Sequence, residues 1–239
     1  MRLYDEAAQD ITIHAARDEA TWRYLLTHSA TTETERDTYI IHNAGGKIAG
    51  YVCIPHHHFG EELVANEVSC LGFDAAMATL HYLKTLAVER TKPGIRLDLP
   101  ADCTLMRLAH SFGAHDMGTY AWQIHVPSIA ALLRALTPVL ERRIAKSPFA
   151  GLSRDLRLDL YAETLSLRFK EGKLAEIAQS SAGGGDIRFP PLQFIPLVLG
   201  YRTLKELQAV YPDIGVTPPW HLLVDTLFPR MTSFIYTNY

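Results

Sequence analysis

The sequence predicts two domains, an α/β unit over residues 1–126 and an α+β unit over residues 127–239. Between Thr38 and Val126 the apolar period changes in the order hairpin, strand, helix, strand, helix, strand, which is the order of a mixed α/β sheet. From Ser128 a leucine stripe at helical spacing leads into alternating runs that read as an antiparallel meander, and then into helices. Pro127 stands where one pattern gives way to the other. With 239 residues, 48% hydrophobic and 21% charged, the chain is long enough to bury a core in each unit.

In the first unit, Ile11-Thr12-Ile13 reads as a short strand and Ala16–Thr27 as a helix, with Trp22, Leu25 and Leu26 at helical spacing. TYIIHN from Thr38 and IAGYVCI from Ile48 flank Ala44-Gly45-Gly46-Lys47 and form a hairpin. A strand over Glu62–Cys70 leads to Asp74, the expected N-cap of a helix reaching Glu89 with Met77, Leu80, Leu83, Ala87 and Val88 as its buried stripe. Lys92-Pro93-Gly94 stops that helix, and Ile95, Leu97 and Leu99 alternate with Arg96 and Asp98 as a half-buried strand. Leu105, Leu108, Ala109 and Phe112 mark a second helix closed by Gly113, and Tyr120–Val126 alternates as the last strand.

In the second unit, Ile129, Leu132, Leu133, Leu136, Leu140 and Ile144 form one helical stripe, with Pro138 bending or splitting the helix. Leu156, Leu158 and Leu160, then Leu165, Leu167 and Phe169, then Leu174–Ile177 after a Glu171-Gly172 turn, read as antiparallel strands with one apolar face. Ser180–Asp186 reads as a flexible loop. Helices follow over Pro190–Leu199, over Thr203–Val210 with a Thr203/Glu206 capping box, and over Pro218–Phe228.

Composition excludes some classes. A formal net charge of -3 gives no electrostatic case for nucleic acid or an anionic membrane. Cys53, Cys70 and Cys103 are widely spaced and odd in number, as expected of reduced thiols in a cytosolic protein without a zinc site. MRLYDEAAQD lacks the apolar core of a signal peptide, and the longest apolar stretch, Leu192–Leu199, is too short to span a bilayer, so a cytoplasmic protein is expected. His56, His57 and His58 alternate in direction on a strand end and do not converge on one metal ion. His110 and His115 suit a helix C-terminus, and Arg142, Arg143 and Lys146 read as a solvated basic helix end. Asp98, Asp102 and Asp116 sit near element ends without an identifiable nucleophile, and no role is assigned to them.

LMRLAHSFGAHD…YAWQIHV, LLRALTPVLERRI, LDLYAETLSLRFKEGKL and FPPLQFIPLVLGYRTLKELQAVYPD, taken in this order, resemble the C-terminal portion of multidomain GNAT N-acetyltransferases of the enhanced intracellular survival type. That resemblance implies a degenerate GNAT-like mixed sheet (residues 1–126) followed by a sterol-carrier-protein-like antiparallel sheet with helices (residues 127–239). In such enzymes acetyl passes from acetyl-CoA to an amine. Their pyrophosphate turn reads Arg/Gln-x-x-Gly-x-Gly/Ala, because clustered backbone N–H groups at a helix N-terminus bind phosphate. Here the equivalent stretch, Val68–Ala76, has the one glycine Gly72 and the added carboxylate of Asp74, so acetyl-CoA is not expected to bind this segment. The expected partners are an amine substrate, a GNAT domain acting in trans or lying upstream, and a second copy of the chain. Whether the chain is a fragment, a truncated reading frame or a split enzyme stays open.

The resemblance also implies that the terminal carboxylate, here that of Tyr239, acts as general base in the cofactor-binding domain, with Phe234 and Tyr236 anchoring the tail beside the substrate. Desolvation against aromatic walls raises a carboxylate's pKa toward a useful range. Two other classes of function remain: a lipid- or acyl-chain-binding module built on residues 127–239, which requires a continuous apolar cavity, and a structural oligomerisation subunit, which requires exposed apolar faces on the sheet of residues 154–178.

Overall fold

The computed structural model describes residues 1–119, 123–180 and 184–236. The chain divides into two compact units, one comprising Met1–Thr119 with Ser233–Tyr239 and the other Tyr120–Thr232. The division falls a few residues before Pro127, and the segment from Ser233 belongs to the first unit.

The first unit opens with a helix that the apolar pattern did not reveal, α1 (Arg2–Ala8), which buries Tyr4 and Ala8. Ile11-Thr12-Ile13 is not a strand of a sheet; its single bridge pairs Ile13 with Ser233 in parallel. The predicted helix over Ala16–Thr27 starts later, as α2 (Glu19–Arg23), because Asp18 caps it by accepting from the Thr21 amide. It continues as one π-helical turn over Tyr24–His28.

β1 (Arg36–His42) and β2 (Ile48–Pro55) form the hairpin. Asn43 Oδ1 accepts from the Gly45 and Lys47 amides, and Gly46 takes a φ of +75°, which favours glycine. The predicted strand over Glu62–Cys70 is divided. β3 (Leu63–Ala65) pairs in parallel with β5 (Ile95–Leu97), whereas β4 (Glu67–Val68) pairs antiparallel with β2. Asn66 lies at the switch, and its amide donates to the Cys53 carbonyl at 3.2 Å.

Between them runs α3 (Phe73–Glu89), and α4 (Thr104–Ser111) follows β5. Asp74 is not the N-cap of α3. Gly72 holds that position in an extended conformation, and Asp74 lies in the first turn. The buried stripe of α3 is Ala76, Thr79, Leu83, Leu86 and Ala87, while Val88 faces solvent. Residues 123–126 form no strand, and Tyr120, Ala121 and Trp122 of the predicted Tyr120–Val126 strand lie outside the described residues.

Successive residues of β2 serve two cores, as the period of two requires. Val52 and Ile54 pack with Leu63, Val68, Leu83 and Leu105 under α3 and α4. Tyr51 and Cys53 face the other way, into a cluster with Tyr4, Ala8, Ile11, Trp22 and Tyr236.

The second unit packs α5 (Ile129–Ala145) against a sheet of β6 (Arg154–Asp159), β7 (Thr164–Lys170), β8 (Lys173–Ser180), β9 (Ile187–Arg188) and β10 (Gly215–Val216) in the order β10-β9-β6-β7-β8. α5 runs unbroken through Pro138. The meander β6-β7-β8 is antiparallel as expected, but β9 joins β6 in parallel and makes the sheet mixed. Ser181, Ala182 and Gly183 of the predicted loop lie outside the described residues. The end of that loop is fixed to β6, since Asp186 Oδ2 accepts from the Arg157 amide at 3.0 Å.

α6 (Pro191–Val198), α7 (Leu204–Val210) and α8 (Trp220–Leu227) complete the unit, with the Thr203/Glu206 capping box in place. Arg143 is not a solvated cation. It is partly buried and donates to the Leu227 carbonyl near the end of α8, and burial, with Arg142 nearby, lowers its pKa. No helix among the described residues is long and apolar enough to cross a membrane.

The cysteines differ sharply in environment. Burial, reinforced by the Glu67 charge, pushes the fully enclosed Cys53 thiol up to about 12, whereas Cys70 is exposed. Thiolate is the reactive form. Iodoacetamide at pH 8 is therefore expected to modify Cys70 first and Cys53 only after unfolding, as read by peptide mapping. Early alkylation of Cys53 in the folded protein would contradict this packing.

Candidate functional site

The first unit carries two features with chemical content, the divided strand beside the α3 N-terminus and a buried ionic cluster that meets it at Glu67. The strand from Leu63 to Val68 changes partner at Asn66, so β5 and β4 diverge beyond the Ala65–Leu97 pair. Such a parting opens a sheet to a ligand only if the adjoining turn leaves donors free.

Here the turn is folded back on β2. The Ser69 amide donates to the Tyr51 carbonyl at 3.1 Å, and Ser69 Oγ accepts from the Tyr51 amide at 2.9 Å. A Cβ on Gly50 would meet Leu71 Cδ2 and Ser69 Oγ at 2.4 Å, so the close approach of this turn to β2 requires glycine at position 50. Gly72, with φ -69° and ψ 167°, adopts a conformation open to any residue and makes no anion-binding nest. Asp74 adds negative charge in the first turn, where the helix dipole would otherwise favour a phosphate. The bonded Ser69 amide and the first-turn carboxylate of Asp74 are thus the features of this turn that bear on an anion.

Glu67, at the start of β4, is the centre of the ionic cluster. Arg17 Nη1 donates to both its oxygens at 2.8 and 2.9 Å, Arg36 Nη1 to Oε2 at 2.8 Å, and the Tyr51 hydroxyl to Oε1 at 2.8 Å. The three charged side chains have at most 1% of their surface exposed. Arg17 also lies against aromatic rings, its Cζ 4.5 Å from the centroid of Tyr4, 5.0 Å from Trp22 and 6.0 Å from Tyr236. Burial works against the Arg17 charge, but the bond and charge of Glu67 outweigh it and raise its pKa. Burial, followed by the Glu67 charge, drives the Tyr51 hydroxyl far upward, so Tyr51 acts as a neutral donor.

The tail reaches this cluster. The Phe234 amide donates to the Ile13 carbonyl at 3.0 Å, and Tyr236 is 2% exposed, its ring 5.8 Å from Tyr4 and 5.0 Å from Phe234. Burial raises the Tyr236 hydroxyl's pKa. Phe234 and Tyr236 thus pack beside the cluster, while Tyr239 lies outside the described residues. Arg17, Arg36 and Glu67 were not singled out in the sequence. The available signal was a carboxylate inside an otherwise apolar strand, which stays buried only with a partner.

The histidine run lies apart from the cluster. His56 stands between Asp37, 2.9 Å from Nε2, and Glu35, 3.4 Å from Nδ1, and His57 lies 3.9 Å from Glu35. Arg90 Nη2, beyond the end of α3, donates to Asp37 Oδ2 at 2.8 Å. No group of three or more metal-ligating side chains able to hold an ion is found among the described residues.

Among solved structures, the chain is similar to a GCN5-related N-acetyltransferase from Anabaena variabilis ATCC 29413. The TM-score is 0.53 and the identity 17%, over 98% of this chain and 58% of that one. The likeness shows a GNAT-like fold in a chain that spans 58% of that structure's length. No family model and no curated protein matches the sequence.

Two outcomes follow from the electrostatics. Glu67→Gln leaves two buried guanidinium groups facing a neutral amide, and the expected loss is about 3–5 kcal/mol in urea unfolding. A loss under about 1 kcal/mol would show that the cluster does not hold the unit together. Burial raises the pKa of Asp37, but hydrogen bonds from Arg90 and His56 outweigh it and hold the carboxyl below its ordinary 3.8. Its stabilising contribution is therefore full above pH 3.8 and lost as pH falls through the folded-state value. In melting curves at a series of pH values, the wild type should exceed Asp37→Asn at neutral pH and converge with it in acid. A gap that widens in acid would reverse the assignment.

Proposed function

We propose that the chain is the part of an N-acetyltransferase that does not hold the cofactor, corresponding to the C-terminal portion of a multidomain GNAT enzyme of the enhanced intracellular survival type. In this reading the first unit is a degenerate GNAT domain, the second a sterol-carrier-like domain, and acetyl-CoA is held by a separate domain. The observation that carries it is a GNAT-like strand and crossing helix joined by a turn whose Ser69 amide is already bonded and whose first helical turn carries Asp74.

The tail supports the catalytic half of the proposal. Termini fray unless something holds them, and here Tyr236 is anchored in an aromatic cluster three residues before the end of the given sequence. The terminal carboxylate of Tyr239 then takes the proton from the acceptor amine, with Phe234 and Tyr236 fixing its position.

The two other classes lack supporting observations. Leu133, Leu140, Ile144, Leu160, Leu165, Leu197 and Leu223 have no accessible surface, so no water-sized void touches these side chains. On the sheet face turned away from that core, Arg168 bonds Glu176 and pairs with Asp155, which makes a polar rather than an apolar surface.

Two measurements test the proposal. Calorimetric titration of the chain with CoA is expected to show no binding, and micromolar affinity would overturn the cofactor assignment. In the enzyme reconstituted with its acetyl-CoA-binding domain, one glycine added after Tyr239 moves the carboxylate by about 3.5 Å. The expected cost is on the order of a hundredfold in the rate of CoA release. Full activity of the extended protein would make the tail a structural clasp only.

A further inference from the structure

The first unit holds a cleft of about 330 Å³ lined by residues of β1, the end of β2, the start of β3 and the stretch that follows α3. Small-molecule sites begin at about that size. The apolar part of the lining is Ile54, Pro55 and Leu63, all buried. The polar part is Asp37, His56, His58, Arg90 and Lys92, brought together from three separate stretches of chain.

The ligand that fits follows from which polar atoms are already taken. Asp37 accepts from His56 Nε2 on Oδ1 at 2.9 Å and from Arg90 Nη2 on Oδ2 at 2.8 Å, so both its oxygens have donors. The other ring nitrogen of His56 lies 3.4 Å from Glu35, and His58 Nδ1 lies 3.3 Å from the Phe59 carbonyl. Arg90 spends Nη2 on Asp37 and on the Tyr39 hydroxyl. Among the described residues its Nε and Nη1 have no acceptor, and the half-buried Lys92 side chain has no partner. The open positions in this lining are therefore cationic donors, set beside hydrocarbon.

We propose that this cleft binds a small organic carboxylate, its oxygens at Lys92 and Arg90 and its hydrocarbon part against Ile54, Pro55 and Leu63. A cationic ligand would find both Asp37 oxygens occupied. A carboxylate keeps its two oxygens at one end of the molecule, where charge-assisted bonds from lysine and arginine meet them. A phosphate would turn further oxygens onto hydrocarbon side chains that offer no donor. Arg90 and Asp37 are 35% and 33% exposed, so a ligand reaches the cleft without a lid having to lift. The site is independent of the acetyltransferase reading, since it uses neither the turn at the start of α3 nor Tyr239.

The test follows the δ-methyl resonance of Ile54 by NMR in the full chain, assigned by its loss in Ile54→Val. Benzoate and hexanoate are each added at neutral pH, with sodium chloride holding the ionic strength constant. Benzamide and hexanamide serve as neutral counterparts, and inorganic phosphate as an anion without a hydrocarbon part. The expected result is a saturable shift with at least one acid, at least tenfold weaker binding of its amide, and no saturation with phosphate. Lys92→Gln should weaken the acid at least fivefold, whereas Lys84→Gln, which removes the same charge from the exposed face of α3, should leave its affinity unchanged. An unmoved resonance, equal affinity for acid and amide, binding of phosphate as tight as that of the acid, or equal losses in the two lysine variants would overturn the site. Should Lys92→Gln fail to fold, the comparison of acid, amide and phosphate in the wild type decides alone.

Discussion

The first unit depends on one buried carboxylate. Glu67 follows directly on the residue where the strand leaves β5 for β2, and its side chain has 1% of its surface exposed. A carboxylate there is tolerated only if every lone pair finds a donor and the charge finds a cation. Arg17 comes from the segment before α2, Arg36 from the first position of β1 and Tyr51 from the middle of β2, so satisfying one residue fixes three stretches of chain. The aromatic wall of Tyr4, Trp22 and Tyr236 excludes water and strengthens each of these bonds.

The second unit is organised without such a centre. Leu156 and Leu158, Leu165, Leu167 and Phe169, and Leu174 and Ile177 form one apolar sheet face, covered by α5 and joined by Phe189, Phe194, Leu223 and Leu227. The driving force there is burial of area, which is non-directional and tolerant of volume-conserving exchange. The ionic cluster tolerates neither loss of a partner nor a change of geometry. Substitutions of similar size should accordingly be felt more sharply around Glu67 than around Leu165.

The first unit holds a parallel strand pair, a crossing helix and a parting of strands, and its turn between Val68 and Phe73 is bonded to β2 by Ser69 and seated over Gly50 by Leu71.

The sequence by itself determined the elements whose signal is local. The Thr203/Glu206 box, the hairpin around Gly45-Gly46, the stripe of α5 and the antiparallel meander all follow from neighbours within a few residues. It also showed that the stretch from Val68 to Ala76 holds the one glycine Gly72 and the carboxylate of Asp74, because that depends only on which residues are present. What it did not show is non-local. β9 and β10 are two residues each and exist only because other backbone meets them, and α1 carries too few apolar residues to display a period. Arg17, Arg36 and Glu67 look like three ordinary charges 19 and 31 residues apart along the chain. Only the tertiary structure, by removing all three from water at one point, decided that they must meet, because the cost of burying a charge is set by surroundings that no local window contains.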